Sequence, residues 1–95
     1  MSVGYQVEID PRAQRELASL ARADKRRAAA VRTAVMALAE NPRPDRCRKL
    51  AGPHDLYRIR VGDFRILYRV ADQVITVTVV RVANRRAVYD HLDKL

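Results

Sequence analysis

Residues 56–70 read LYRIRVGDFRILYRV, and this stretch decides the fold of the 95-residue chain. Apolar and polar residues alternate on both sides of Gly62-Asp63. A period of two is typical of β-strands, and a two-residue connection with glycine first is typical of a tight hairpin turn. The sequence therefore predicts two antiparallel strands joined at Gly62 and Asp63.

The predicted turn fixes which residues face each other across the hairpin. With Gly62 and Asp63 as the loop, Val61 lies opposite Phe64, and directly opposed residues share a face of the sheet. One face then carries the apolar and aromatic residues Tyr57, Ile59, Val61, Phe64, Ile66 and Tyr68. The other face carries Arg58, Arg60, Arg65 and Leu67. We expect the first face to contact helices and the arginines of the second to converge on the solvent side.

The opposed arginines indicate a binding function. Like charges facing each other across two strands are destabilising, so the fold gains nothing from Arg60 opposite Arg65 unless an anion binds there. The alternative is an ordinary solvated face on which Asp63 or another acid screens the charge. Three clustered arginines in a small basic domain favour a phosphate-binding surface over that alternative.

The rest of the chain supplies the other elements. Alternation over residues 5–9 predicts a strand, and Asp10-Pro11 is a typical helix start that leads to a first helix ending near Ala21. A second helix is predicted from Asp24 to Asn41-Pro42, because the residue before proline avoids the helical region. Residues 42–53 are predicted to form a loop, 73–82 a central strand and 85–95 a short helix.

This element order predicts an α+β fold with the order β-α-α-β-β-β and a final optional helix. The whole chain, residues 1–95, is short enough to be a single domain. We expect a mostly antiparallel four-stranded sheet, with the two helices packed on one face.

The charge favours a polyanionic partner. The chain has a formal net charge of +8, and sixteen of its 19 basic residues are arginine, which binds phosphate bidentately. Nucleic acid, an anionic membrane surface or an acidic protein would each fit this charge. A genome rich in G and C would explain part of the arginine content, but not its placement on one face.

The cysteine count and hydropathy indicate where the protein acts. Cys47 is the only cysteine, so neither an internal disulfide nor a cysteine metal cluster is possible, as is common in a reducing cytosol. No apolar stretch approaches the length of a membrane span, and the N-terminus lacks the apolar core of a signal peptide. We therefore expect a cytoplasmic protein without a membrane partner.

Two segments resemble a known family. Residues 49–70, KLAGPHDLYRIRVGDFRILYRV, and 74–89, VITVTVVRVANRRAVY, are similar to the RelE/ParE superfamily of type II toxins. The opening segment YQVEIDPRAQREL at residues 5–17 extends the resemblance over nearly the whole chain. The resemblance implies a RelE-like microbial RNase fold, which agrees with the element order predicted from the residues.

The resemblance also implies an activity and a site. RelE-like members cut mRNA in the ribosomal A site by attack of the ribose 2′-OH on the adjacent phosphate, whereas ParE-like members poison DNA gyrase and lack the basic catalytic set. Carried over by position, the implied catalytic residues are Arg58, Arg60, Arg65, Arg85 and Tyr89. This full set favours the endoribonuclease over the gyrase inhibitor.

The chain departs from RelE in two respects. RelE has lysines at the positions of Arg58 and Arg60, and because arginine stays protonated neither residue is a credible general base. Tyr89 is then the best candidate for moving the proton, with Arg65 and Arg85 stabilising the phosphorane. The second departure is the spacing from Arg85 to Tyr89, which is shorter than in RelE.

Further residues and partners complete the prediction. The predicted contacts to RNA or the ribosome are Arg26, Arg27, Arg32, Arg46, Lys49 and Arg86. His91, which is close to Tyr89 in sequence, is a reserve acid or base, but the favoured interpretation of both His54 and His91 is a solvent-exposed side chain. The chemistry calls for no metal and no cofactor. The implied partners are the ribosome with its mRNA and a cognate antitoxin that is acidic or amphipathic, with operator DNA reached only through that antitoxin.

Three hypotheses therefore stay open on the sequence. The first is a ribosome-dependent endoribonuclease. The second is a gyrase-directed inhibitor without catalysis of its own. The third is a member that only binds its antitoxin and acts as a co-repressor.

Overall fold

The β-hairpin forms with the predicted register in the computed structural model, which describes residues 4–50, 52 and 55–84. Val61 pairs with Phe64, Arg60 with Arg65 and Ile59 with Ile66. Gly62 has a φ of 59°, which is the left-handed conformation that the first central residue of this turn requires and that glycine adopts without steric cost. The turn thus sets the alternation of faces on both strands.

The described elements follow the predicted order, with one strand added. In chain order they are β1 (Gln6–Ile9), α1 (Pro11–Ala23), α2 (Lys25–Ala37), β2 (Arg48–Lys49), β3 (Leu56–Val61), β4 (Phe64–Ala71), a 3-10 turn (Asp72–Val74) and β5 (Thr76–Asn84). The five strands form one sheet in the order β1-β5-β4-β3-β2. The α+β class with two helices on a sheet is confirmed.

The prediction of four strands is wrong in one detail and incomplete in another. Arg48–Lys49 was predicted to be loop, but it pairs antiparallel with β3 and forms a fifth, two-residue edge strand. β1 joins the sheet parallel to β5, whereas the remaining pairs are antiparallel. β5 starts later than predicted because the chain first makes the 3-10 turn and passes through Ile75, whose φ is 51°.

The helix starts follow the sequence signals to different extents. Pro11 is the first residue of α1, as expected, but Asp10 makes no side-chain capping hydrogen bond. The Asp24 carboxylate accepts a hydrogen bond from the Arg27 backbone N–H at 3.0 Å and so caps α2. Because one aspartate ends α1 and caps α2, the two helices are joined without a spacer.

The core lies between the helices and one face of the sheet. It contains helix residues such as Leu17 and Val31 together with Ile59, Ile66 and Tyr68 from the hairpin. The six hairpin residues predicted to face the helices all belong to this cluster or pack against it. A smaller cluster of Leu56, Leu67, Val80 and Ala83 lies on the opposite face. That face is therefore partly apolar, and Leu67 is buried within it rather than exposed.

A partly buried ion pair lies near the end of β5. The Arg81 Nε donates to the Glu16 Oε2 at 3.0 Å, and the Val82 backbone N–H donates to Glu16 Oε1 at 2.8 Å. β1 pairs with β5 only as far as Val79, so Glu16 satisfies a backbone donor beyond the end of β1. Asn84 pairs with Phe64, so β5 ends beside the hairpin turn.

Candidate functional site

An arginine-lined groove of about 660 Å³ lies on the face of β3 that points away from the helices. Its lining residues are Asp45, Arg46, Cys47, Arg48, Arg58, Arg60 and Gly62. Arg58 and Arg60 alternate along β3 and so project on the same side. Arg48 pairs directly with Arg58, which puts β2 on the other side of the groove. One wall is thus a strand of the sheet, and the other is the segment from Asp45 to Arg48.

The groove concentrates positive charge. Four arginines line it together with one carboxylate, that of Asp45. Two arginine pairs oppose each other directly in the sheet, Arg48 with Arg58 and Arg60 with Arg65. Arg58 is half-buried, and its Nε is shielded from solvent. Charges in partly desolvated positions interact more strongly than in water, so this groove is suited to bind a phosphate anion.

Arg65 lies beside the groove and does not line it. Its Nη1 donates to the backbone oxygens of Gly62 and Phe64, both at 3.3 Å. The guanidinium is thus turned toward the hairpin turn, although the residue is paired with Arg60. Of the predicted catalytic residues, the groove brings together Arg58 and Arg60.

The residues predicted to contact RNA are found in different surroundings. Arg46 lines the groove with Arg58 and Arg60. The Lys49 Nζ lies 3.6 Å from the Asp55 carboxylate. Arg26 and Arg32 are exposed on α2.

Arg27 connects α2 to the hairpin turn. Its guanidinium lies 3.9 Å from the Asp24 carboxylate and 4.0 Å from that of Asp63, and it stacks over the Phe64 ring at 5.7 Å from the centroid. The residue predicted to touch RNA thus holds the turn against the helix. Arg85, Arg86, Tyr89, His54, His91 and the predicted final helix lie outside the described residues.

The groove also contains Arg48, Cys47 and Asp45, which were not among the residues predicted for the site. Their place in the groove follows from the pairing of residues 48–49 with β3. A strand of two residues in a proline-rich segment has no periodic pattern from which this pairing could be predicted. The sequence also did not predict a role for Arg43, whose guanidinium donates hydrogen bonds to the Asp72 and Tyr57 side chains. No strand or helix periodicity marks Arg43, because it lies between Pro42 and Pro44 in the loop before the groove.

The Arg43 clamp, formed by Arg43, Asp72, Tyr5 and Tyr57, ties this loop to the sheet. Arg43 Nη1 and Nη2 donate to Asp72 Oδ1 at 3.1 Å and Oδ2 at 2.9 Å, and Arg43 Nε donates to the Tyr57 hydroxyl at 3.0 Å. The Tyr5 hydroxyl donates to Asp72 Oδ1 at 2.8 Å. The guanidinium also lies over the Tyr57 ring, 5.1 Å from its centroid.

The clamp shifts the protonation equilibria of its members. Hydrogen bonds from Arg43 and then Tyr5 lower the pKa of Asp72. The hydrogen bond to Asp72 raises the pKa of Tyr5, and the same carboxylate raises the pKa of Arg43. Outside the clamp, burial raises the pKa of Tyr68, which donates to the Pro42 carbonyl at 2.7 Å. All these groups keep their ordinary charge at neutral pH, so the clamp is fully formed there.

Two properties of the described residues, 4–50, 52 and 55–84, bear on other classes of function. Within them, no group of three or more histidine, cysteine, aspartate or glutamate side chains is arranged to hold a metal ion. No described helix is long and apolar enough to cross a membrane.

The fold and groove define a small basic α+β domain with an arginine face on its hairpin, and comparisons give its family. Residues 7–89 match the family model of the ParE toxin of the type II toxin–antitoxin system parDE. The chain therefore belongs to this family, within the RelE/ParE superfamily of type II toxins. A search of curated protein sequences finds no significant match.

Solved structures with the same fold include several RelE proteins. The free state of an arginine-to-alanine double mutant of the E. coli toxin RelE is 27% identical, with a TM-score of 0.77 and coverage of 96% of both chains. A chain of the RelBE2 toxin–antitoxin complex from Mycobacterium tuberculosis is 30% identical, with a TM-score of 0.74, over 87% of this chain and 100% of that one. A chain of the RelE–RelB complex from Pyrococcus horikoshii is 31% identical, with a TM-score of 0.66, over 90% and 97%.

Proposed function

We propose that this toxin is a ribosome-dependent endoribonuclease that cuts mRNA in the A site. The observation that carries the proposal is the groove in which four arginines from β3 and the 45–48 segment surround a space large enough for a phosphodiester. A gyrase inhibitor without catalysis needs no such concentration of phosphate-binding groups. Arginine also matches the geometry of phosphate oxygens better than lysine does.

The proposed chemistry is cleavage by the RNA's own 2′-oxygen. The 2′-oxygen attacks the adjacent phosphorus as it loses its proton, a phosphorane forms, and the 5′-oxygen leaves and takes up a proton, which yields a 2′,3′-cyclic phosphate. Arg58 and Arg60 stabilise the extra negative charge of the phosphorane, with Arg46 and Arg48 holding the flanking backbone. Since arginine stays protonated, the proton is moved by another group, and Tyr89 is our candidate.

A gyrase-directed toxin is the second candidate function. The observation that favours it is the family match, since the matching family model describes the ParE toxin of the parDE system. In that case the arginine groove would bind an acidic surface of the target or of the antitoxin, and substitution of Arg58 or Arg60 would weaken binding without any cleavage to lose.

The proposed partners follow from the charge and from the relatives. The relatives' structures include complexes named as RelBE and RelE–RelB toxin–antitoxin complexes. We expect a cognate antitoxin with acidic or amphipathic segments to cover this chain of net charge +8, since complementary charge steers association. Operator DNA would be reached through that antitoxin, and the ribosome, mRNA and cytoplasm are the expected setting.

Primer extension on ribosomes programmed with a defined mRNA tests the proposal. We expect new 5′ ends within the A-site codon only when protein and ribosomes are both present. Intact mRNA under conditions that support translation would overturn the endoribonuclease, and loss of DNA supercoiling by gyrase in a parallel assay would establish the second candidate.

A further inference from the structure

Two parts of the chain supply the arginines of the groove, and they are held in place very differently. Arg58 and Arg60 lie on β3, which is paired along its length with β4. Arg46 and Arg48 lie at the end of the 41–47 loop and in β2, which pairs with β3 through two residues only. Because so short a strand pairing holds Arg46 and Arg48 only weakly, the position of these two arginines depends on the contacts that hold the loop.

The 41–47 loop is held by side chains at its start. The Asn41 Oδ1 accepts from the Arg43 backbone N–H at 3.2 Å, and the Pro42 carbonyl accepts from the buried Tyr68 hydroxyl at 2.7 Å. The Cys47 backbone N–H donates to the Pro44 carbonyl at 2.9 Å, which closes a turn in the loop wall of the groove. The Arg43 side chain then joins the loop to the turn after β4 through Asp72.

We propose that Asp72 and Arg43 are positioning residues that set the loop wall of the groove, and thereby place Arg46 and Arg48 on the phosphate opposite Arg58 and Arg60. This inference rests on the proposed function. Asp72 lines no part of the groove, so it acts only through Arg43. Tyr57 carries the coupling to the sheet, because its hydroxyl accepts from Arg43 while its backbone pairs with Lys49 of β2.

The geometry makes the clamp more than an ordinary surface ion pair. Isolated exposed pairs contribute little, but bidentate arginine–carboxylate pairs within a network are the exception. Here both Asp72 oxygens are engaged, one of them also by Tyr5, and the guanidinium lies against an aromatic ring. Tyr57 belongs to the main core and Tyr5 packs against it, but Asp72 and Arg43 do not, so removal of the Asp72 carboxylate should move the loop without unfolding the domain.

The change in net charge lets the direction of the effect on cleavage distinguish two explanations. Asp72→Asn removes one negative charge, which raises the formal net charge from +8 to +9. If Asp72 acts only through the overall field, RNA binds more tightly and cleavage is unchanged or faster. If Asp72 positions the loop wall, cleavage slows despite the added positive charge, because misplaced groups stabilise the phosphorane less well.

Glu40→Gln is the matched control. It makes the same change in charge, one residue before the loop, and among the described residues no hydrogen bond or ion pair to the Glu40 side chain is found. Asp72→Glu keeps a carboxylate for Arg43 and serves as the conservative variant. Cys47 provides a readout that needs no activity, since it is the one cysteine of the chain and lies in the loop wall.

The experiment measures two rates on each full-length protein: single-turnover cleavage at saturating ribosomes and alkylation of Cys47 by iodoacetamide. For Asp72→Asn we expect about tenfold slower cleavage and several-fold faster alkylation, from a domain that is less stable than the wild type but still folded under the assay conditions. Glu40→Gln should match the wild type in both rates, and Asp72→Glu should recover most of the loss.

The outcomes separate the inference from the function on which it rests. If Asp72→Asn and Glu40→Gln behave alike in either rate, the positioning role is overturned. If the wild-type protein cuts no mRNA, the proposed function fails, and the Cys47 rate alone decides the clamp: faster alkylation in Asp72→Asn supports it, and equal alkylation overturns it.

Discussion

The two faces of the β3–β4 hairpin carry alternate residues of the same strands, yet their side chains lie in very different surroundings. On the helix-facing side Ile66 and Tyr68 are fully buried in the main core. On the other side Arg58 and Arg60 line a groove with two further arginines. The helix-facing side therefore supplies most of the apolar packing of the domain, while the other side combines a smaller apolar cluster with closely spaced arginines.

The arginine face destabilises the fold, and the packing of the core face offsets this loss of stability. Like charges directly opposed across strands are destabilising, and the sheet contains two such pairs, Arg48 with Arg58 and Arg60 with Arg65. Active sites commonly keep arrangements that are unfavourable for folding where they are useful for binding. Substitutions on the two faces should therefore separate stability from activity.

The largest effect on stability is expected on the core face. Ile66→Ala leaves a cavity beneath the helices and should lower the free energy of unfolding by about 2–5 kcal/mol. Urea denaturation followed by circular dichroism measures this loss. A shift of the midpoint no larger than that of an exposed-arginine variant such as Arg22→Ala would contradict the assignment of this face to the core.

Substitution of one groove arginine is expected to have a smaller effect, which appears in RNA binding. Arg58→Ala should reduce the salt dependence of single-stranded RNA binding, lowering the slope of log K against log salt by about 0.7 for one lost phosphate contact. A fluorescence-anisotropy titration at several salt concentrations gives this slope. An unchanged slope would mean that Arg58 does not touch the phosphate backbone.

The clamp predicts a pH dependence with a definite sign. The pKa of Asp72 is lowered in the folded protein, so the stability that its carboxylate contributes is present above the unfolded value of about 3.9 and is lost as pH falls through the folded value. The stability difference between wild type and Asp72→Asn should therefore be largest near neutrality and vanish in acid. Thermal unfolding at a series of pH values from 7 downward measures this stability difference. A stability difference that grows in acid would contradict a stabilising ion pair between Asp72 and Arg43.

The smallest effect is expected at Ile75, where a β-branched residue has a φ of 51°. Ile75→Asn should raise stability by about 0.5 kcal/mol or more, because asparagine tolerates this conformation better. Val74→Asn is the matched control, since Val74 is exposed and lacks the positive φ. Equal effects of the two substitutions on the thermal midpoint would rule out relief of backbone strain.

The sequence predicts the fold well where patterns are local and strong. Gly62 and the alternation around it determine the hairpin register, and Asp24 marks the start of α2, because both signals lie within a few residues. β2 and the parallel pairing of β1 depend on contacts between distant segments, which periodicity does not reveal. Arg43 and Arg48 were missed for the same reason, since their roles depend on Asp72 and Arg58 across the sheet.

The division of roles between the two faces is tested by measuring unfolding and cleavage on the same preparations of Arg60→Ala and Arg22→Ala, two variants of equal charge. For Arg60→Ala we predict an unfolding free energy within about 0.5 kcal/mol of the wild type and A-site cleavage slowed about a hundredfold, with Arg22→Ala close to the wild type in both. Equal cleavage by the two variants, or a loss of cleavage that merely follows a loss of stability, would contradict the division of roles between the two faces.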